Sequence, residues 1–131
     1  MTLLGFLSVG CGAVLGAWLR WLLSVHLNNP GTLIPYGTLL ANFVGAYLIG
    51  LVASFLSVSP SISPQVRLML ITGLLGSLTT FSTFSLESVE MIFLKNYALA
   101  SLHLGLHVLG SIFFTLLGIL TFKTISGIFS S

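Results

Sequence analysis

The chain has 131 residues, of which 56% are hydrophobic and only 5% charged, with a mean hydropathy of +1.14. A water-soluble domain carries about a quarter charged residues, so this composition suits lipid rather than water as its main solvent. Six formal charges summing to +2 are too few for a nucleic-acid-binding surface. One cysteine, Cys11, excludes an internal disulfide and any cysteine-based metal centre.

A helix needs roughly 20 apolar residues to cross the hydrocarbon core. The length therefore allows about four crossings with short loops, in one domain over residues 1–131. The first predicted span runs from about Leu3 to Val25 and stops at His26, Asn28, Asn29 and Pro30. Ser8 to Cys11 reads faintly as a lipoprotein cleavage box, but the apolar stretch before it is short and carries no Lys or Arg. No cleaved leader is expected, and Cys11 reads as a small packing residue. Gly12, Gly16 and Arg20 follow at four-residue spacing beside Ala13 and Ala17, a pattern that lets helices approach closely. Arg20 lies near the end of its span, where it can snorkel or pair with a carboxylate; Glu87 and Glu90 are the available partners.

The second span runs from about Ile34 to Val58, opened by Pro35 and closed by Pro60, Ser61, Ser63 and Pro64. Asn42 is its one amide, flanked by Gly37, Ala41, Gly45 and Gly50. An amide at that depth can join helices, worth about 0.6 to 2 kcal/mol, or offer an N–H to an anion. Spacing alone favours the first role.

The third span, about Val66 to Phe93, contains GLLGSLTTFSTFSLE, Gly73 to Glu87. Hydroxyls from Ser77 to Ser85 occupy its midpoint, interleaved with Phe81 and Phe84. A straight helix of this length would reach about 42 Å at 1.5 Å per residue, against a core of about 30 Å. Tilt would absorb the excess; a break near Gly76 to Thr80 would absorb it and also explain the polar centre. The break is the expectation. Aromatic rings carry positive potential at their edges, so Phe81 and Phe84 beside hydroxyls and an amide suggest a path for a small anion.

After a Lys95–Asn96–Tyr97 turn, the fourth span covers about Ala98 to Phe122. His103, His107, Ser111 and Thr115 recur every four residues and form a slowly drifting polar stripe. Two His at i and i+4 suit a metal, but further ligands are not evident nearby, so a water-facing or interface stripe is the better reading. No Asp occurs and both Glu residues lie towards a span end, so no nucleophile–base–acid set is expected and the chain does not read as an enzyme. Arg67 and Lys123 fall on the side of the termini and the second loop; Arg20 and Lys95 fall on the other. Either both orientations are permitted, which makes an antiparallel homodimer possible, or four charges are too few to decide.

TTFSTFS (Thr79 to Ser85) with Glu87 beyond it, GTLLANFVGAYLIG (Gly37 to Gly50) and GAVLGAWLRWLLS (Gly12 to Ser24) resemble the Fluc (CrcB) family of small fluoride channels over nearly the whole chain. The resemblance implies an all-α membrane protein of four helices, the third broken near its centre, assembled as a dual-topology antiparallel homodimer in a bacterial inner membrane. It implies a passive, fluoride-selective channel that exports cytoplasmic fluoride and confers fluoride resistance. Asn42, Phe81 and Phe84 would contact the ion, with Ser82, Thr83, His107, Ser111 and Thr115 as a polar track. Backbone carbonyls of Gly76 and Thr79 would hold a central sodium ion shared by the two subunits, and Arg20 would line a vestibule or brace Glu87. The chain departs from the family pattern at Ser77, usually Gly, at Leu75, usually small or Cys, and at His103 and His107, where Tyr or Ser also occur. The competing readings are a dual-topology, proton-coupled exporter of cations or guanidinium-like compounds, and a small structural subunit. The exporter wants a carboxylate deep in a span, and the subunit leaves the two Phe unexplained.

Overall fold

A computed structural model describes residues 2–29 and 31–129; Pro30, read above as part of the first stop, lies outside them. All elements among these residues are helical, and four helices are long and apolar enough to cross a membrane. Helix α1 spans Leu3–Leu27, and the Thr2 hydroxyl caps it by accepting from the Gly5 N–H at 3.2 Å. Asn28 ends it and staples the next crossing: its Oδ1 accepts from Gly37 N–H at 2.7 Å and its Nδ2 donates to Thr38 Oγ1 at 3.2 Å. Helix α2 spans Tyr36–Ser57. Arg67 donates to the carbonyls of Leu56, in the last turn of α2, and Ser59, just beyond it, at 2.8 and 3.0 Å; the first is one that the helix end leaves without a helical donor.

The third crossing is assembled from pieces. Pro64 occupies the first turn of α3 (Pro64–Arg67), where a missing N–H does no harm. A π-helical stretch, Leu68–Leu75, follows, then a last turn, α4, at Gly76–Leu78. Thr79 is extended, with φ −77° and ψ 154°, and helix resumes only in α5, Ser82–Phe93. The expected break is therefore present, centred slightly later than predicted: Gly76 is still helical, and the interruption falls at Thr79–Phe81.

A tight turn leads to α6, Tyr97–Phe129. Asn96 N–H bonds to Met91 C=O and Lys95 N–H to Ile92 C=O, which closes α5 with Lys95 in the left-handed region at φ 57°. Helix α6 runs past the predicted limit at Phe122, because nothing there breaks it. The hydroxyls of Thr121 and Thr124 turn back onto carbonyls one turn earlier.

Two glycine contacts set the packing. On α1, a Cβ at Gly12 or Gly16 would strike backbone of the π-helical stretch around Met69 and Leu74. Between α2 and α6 the fit is reciprocal: Gly50 faces the Thr115 backbone, and Gly118 faces the Tyr47 backbone. Large apolar side chains such as Leu3, Phe6, Trp18, Trp21 and Phe113 remain exposed on the outside, as expected of helices whose outer face meets lipid or a partner. Gly118→Ala is expected to destabilise the fold by about 1–3 kcal/mol through overpacking. Gly105→Ala, where an added Cβ meets nothing within 4 Å, is expected to be neutral or mildly stabilising. Denaturation midpoints in detergent compare the two.

Candidate functional site

The interruption exposes a peptide group at bilayer depth, and α2 supplies its partner. Asn42 Oδ1 accepts from Thr80 N–H at 2.7 Å while Asn42 Nδ2 donates to Thr80 C=O at 3.0 Å. Both bonds are buried. This pairing fixes which way the amide points, so its second hydrogen is known to be the donor in the 2.9 Å contact with His107 Nδ1. His107 Nδ1 is then the acceptor, and the ring proton sits on Nε2. Thr80 also caps α5: its Oγ1 accepts from Thr83 N–H at 3.2 Å and donates to Thr83 Oγ1 at 3.0 Å.

A cavity of about 380 Å³ opens beside this clamp. Of the residues expected to act together, Asn42, Thr79, Phe81, Phe84, His107, Ser111 and Thr115 all line it. Ser82 and Thr83 do not; they are exposed and bond to Thr80 Oγ1 at the start of α5. Gly76, in the last turn of α4, is also outside the lining.

The two Phe rings occupy different environments. Phe84 is 3% exposed and stacks on His107 with centroids 4.6 Å apart. Phe81 is 77% exposed, and its ring meets Phe84 edge-to-face at 5.4 Å. Thus one ring belongs to the interior of the chain, and the other projects from it at the mouth of the cavity.

Behind Phe84 lies a polar chain that the sequence did not reveal. Thr38 Oγ1 donates to Glu87 Oε1 at 2.6 Å, and Glu87 Oε2 lies 3.4 Å from His103 Nε2. His103 in turn packs against His107, with centroids 4.5 Å apart. Arg20, read from the sequence as snorkelling, lining a vestibule or pairing with Glu87 or Glu90, makes no ion pair with either among the described residues; Glu87 faces His103 instead. The position of Glu87 follows from the hairpin. Glu87 and His103 stand eight residues to either side of Lys95, so antiparallel helices closed at that turn bring them level. Treating the turn as a register mark would have found the pair; Thr38 and Asn28, on other elements, left no such signal.

Asn42→Ala would strand both polar groups of Thr80 in the interior. Each unpaired buried group costs about 1–3 kcal/mol, so a clear fall in the detergent unfolding midpoint is expected. Faster hydrogen exchange at the Thr80 amide is the accompanying local readout.

The sequence model of the family described as CrcB-like protein, Camphor Resistance (CrcB), matches residues 7–119. A Ralstonia pickettii (strain 12J) protein named fluoride-specific ion channel FluC is 50% identical over 126 residues, covering 96% of this chain and all of its own. A Pseudomonas putida (strain W619) protein of the same name is 52% identical over 121 residues, covering 92% of this chain and 95% of its own. With a matched family spanning most of its length and relatives aligned nearly end to end, the chain belongs to the CrcB family.

Proposed function

We propose that this multi-pass membrane protein is a passive fluoride channel that works as an antiparallel homodimer in the inner membrane. It is a transporter rather than an enzyme. The observation that carries this reading is the cavity at the broken crossing, where ring edges, hydroxyls and an amide meet without any formal charge in the wall. Fluoride is small and strongly hydrated, so a path for it must replace water at low dielectric. Ring edges and neutral donors do so without the tight binding that a full positive charge would bring. Asn42, Phe81, Phe84, His107, Ser111 and Thr115 line the route, and Ser82 and Thr83 continue it beyond the break.

The exposed Phe81 supports assembly with a second copy: a ring projecting from one chain completes a path in its partner. The break also suits a sodium ion held by carbonyls of Gly76 and Thr79. In an unbroken helix Thr80 N–H would serve the Gly76 carbonyl, but Asn42 takes it instead. Carbonyls released at the end of a half-helix are hard oxygen donors of the kind that bind Na⁺. Export needs no fuel, because a negative interior drives an anion outward by about 2.3 kcal/mol per 100 mV.

Liposomes containing this protein alone are expected to release fluoride and retain chloride. Flux that depends on an imposed proton gradient would instead indicate an exporter, and the absence of flux a structural subunit. Phe81→Ile and Phe84→Ile are each expected to slow fluoride release by up to about tenfold, taking a ring-edge contact as comparable to an aromatic pair at about 0.5–1.5 kcal/mol. The dimer should survive both changes. Asn42→Asp should stop conduction, since it adds a negative charge beside the path and removes the donor that Thr80 C=O and His107 share.

A further inference from the structure

The polar chain behind Phe84 contains three groups with unsatisfied ligand atoms. Glu87 Oε2, His103 Nε2 and His107 Nε2 are buried and have no hydrogen-bond partner. His103 is 0% and His107 3% exposed. One ligand atom from each of Glu87, His103 and His107 lies within 4.8 Å of the others. Buried unpaired polar atoms are uncommon and call for a partner. Zinc takes nitrogen and carboxylate ligands at about 2.0–2.2 Å, which places neighbouring ligands of a tetrahedral site about 3.3–3.6 Å apart. His103 Nε2 and Glu87 Oε2 already stand at 3.4 Å.

Asn42 works against such a site. A metal on His107 Nε2 requires the ring proton on Nδ1, and a metal-bound His normally donates that proton to a carboxylate or carbonyl. Here Nδ1 instead receives a hydrogen from Asn42, whose orientation Thr80 fixes. We infer that Glu87, His103 and His107 form a binding site for a zinc-type divalent transition metal, and that Asn42 restrains its occupation by holding His107 in the opposing tautomer. Binding the ion breaks the Asn42–His107 bond, which couples this site to the wall of the cavity. The site does not depend on the fluoride reading, since its donors are defined by the chain's own geometry.

Zinc uptake by the purified protein in detergent, measured by equilibrium dialysis, tests this without any flux measurement. About one ion per chain is expected. His103→Gln and Glu87→Gln should each weaken binding about tenfold or more, and the exposed His26→Gln should leave it unchanged. The distinguishing outcome is Asn42→Asp: a carboxylate accepting from Nδ1–H should tighten binding about tenfold. Asn42→Ala, which removes the opposing donor but also leaves Thr80 N–H and C=O without their partner, should give a smaller gain of the same sign. Cobalt bound to the unaltered protein should show the visible bands of a tetrahedral nitrogen–oxygen site, a readout that needs no variant. Binding that survives both His103→Gln and Glu87→Gln, uptake absent from the unaltered protein and from Asn42→Asp alike, or no tightening in either Asn42 variant overturns the inference.

Discussion

A peptide group that leaves helical register inside a bilayer has no water to turn to, and each unsatisfied group there costs several kcal/mol. In this chain the cost is offset by one side chain. Asn42 presents an acceptor to Thr80 N–H and a donor to Thr80 C=O, the same pair that a neighbouring peptide would offer. Thr79 can be extended and α5 can start afresh at Ser82 because that pairing holds the segment between them. The cavity and the turned-out Phe81 both follow from it. Hydroxyl side chains do the remaining local work: Thr80 caps the new helix, and Thr79 Oγ1 turns back to Leu75 C=O at 3.0 Å.

The clamp requires α2 to stand close to the break, and small residues make that approach possible. Gly45 admits the methyl of Thr79, and Ala41 is fully buried next to Leu75 and Leu78. The reciprocal contact of Gly50 and Gly118 then fixes α6 against α2, so His107 arrives within hydrogen-bond distance of Asn42. In lipid, where burial of apolar surface drives helices together only weakly, such close backbone contact supplies much of the packing energy. The glycines thus act on the site at a distance, by setting where its polar groups meet.

Much of this was legible in the sequence because membrane spans are read from composition and length, both of which are plain here. The four crossings and the interruption fell where the hydrophobic pattern and the TTFSTFS run placed them, whereas the grouping of Asn42, His107, Ser111 and Thr115 with Phe81 and Phe84 was implied by the family resemblance. The helix ends moved by a few residues, and α6 ran on to Phe129, since no Gly–Pro signal marks its end in lipid-like sequence. What the sequence concealed was pairing. Asn42 could serve as glue or as donor on spacing alone, and only the geometry reveals that its donors and acceptor are engaged with Thr80 and His107. The partner of Glu87 was likewise chosen by the turn at Lys95 rather than by charge: His103 lies level with it across the hairpin, while Arg20 makes no ion pair with it. Side-chain pairs between elements depend on relative helix rotation, which no single segment encodes.

That rotation has an electrostatic consequence. The carboxylate nearest the cavity sits behind a wall of rings, bound to Thr38 and facing His103, and does not line the cavity itself. A bare carboxylate in the wall would repel an anion, and at low dielectric the repulsion would reach across several ångströms. A bare cation in its place would hold the anion too well to let it pass. Phe84 separates the two regions by stacking on His107 on one side and meeting Phe81 in a T-shaped contact on the other. The polar lining is thereby kept free of carboxylates: one amide, hydroxyls, ring edges and the His107 imidazole. His107 belongs to both regions, touching Asn42 at the cavity and the Glu87–His103 pair behind it. Whatever changes the proton position on that ring therefore changes the donor pattern of the wall, although it acts from a site the permeating species need not touch.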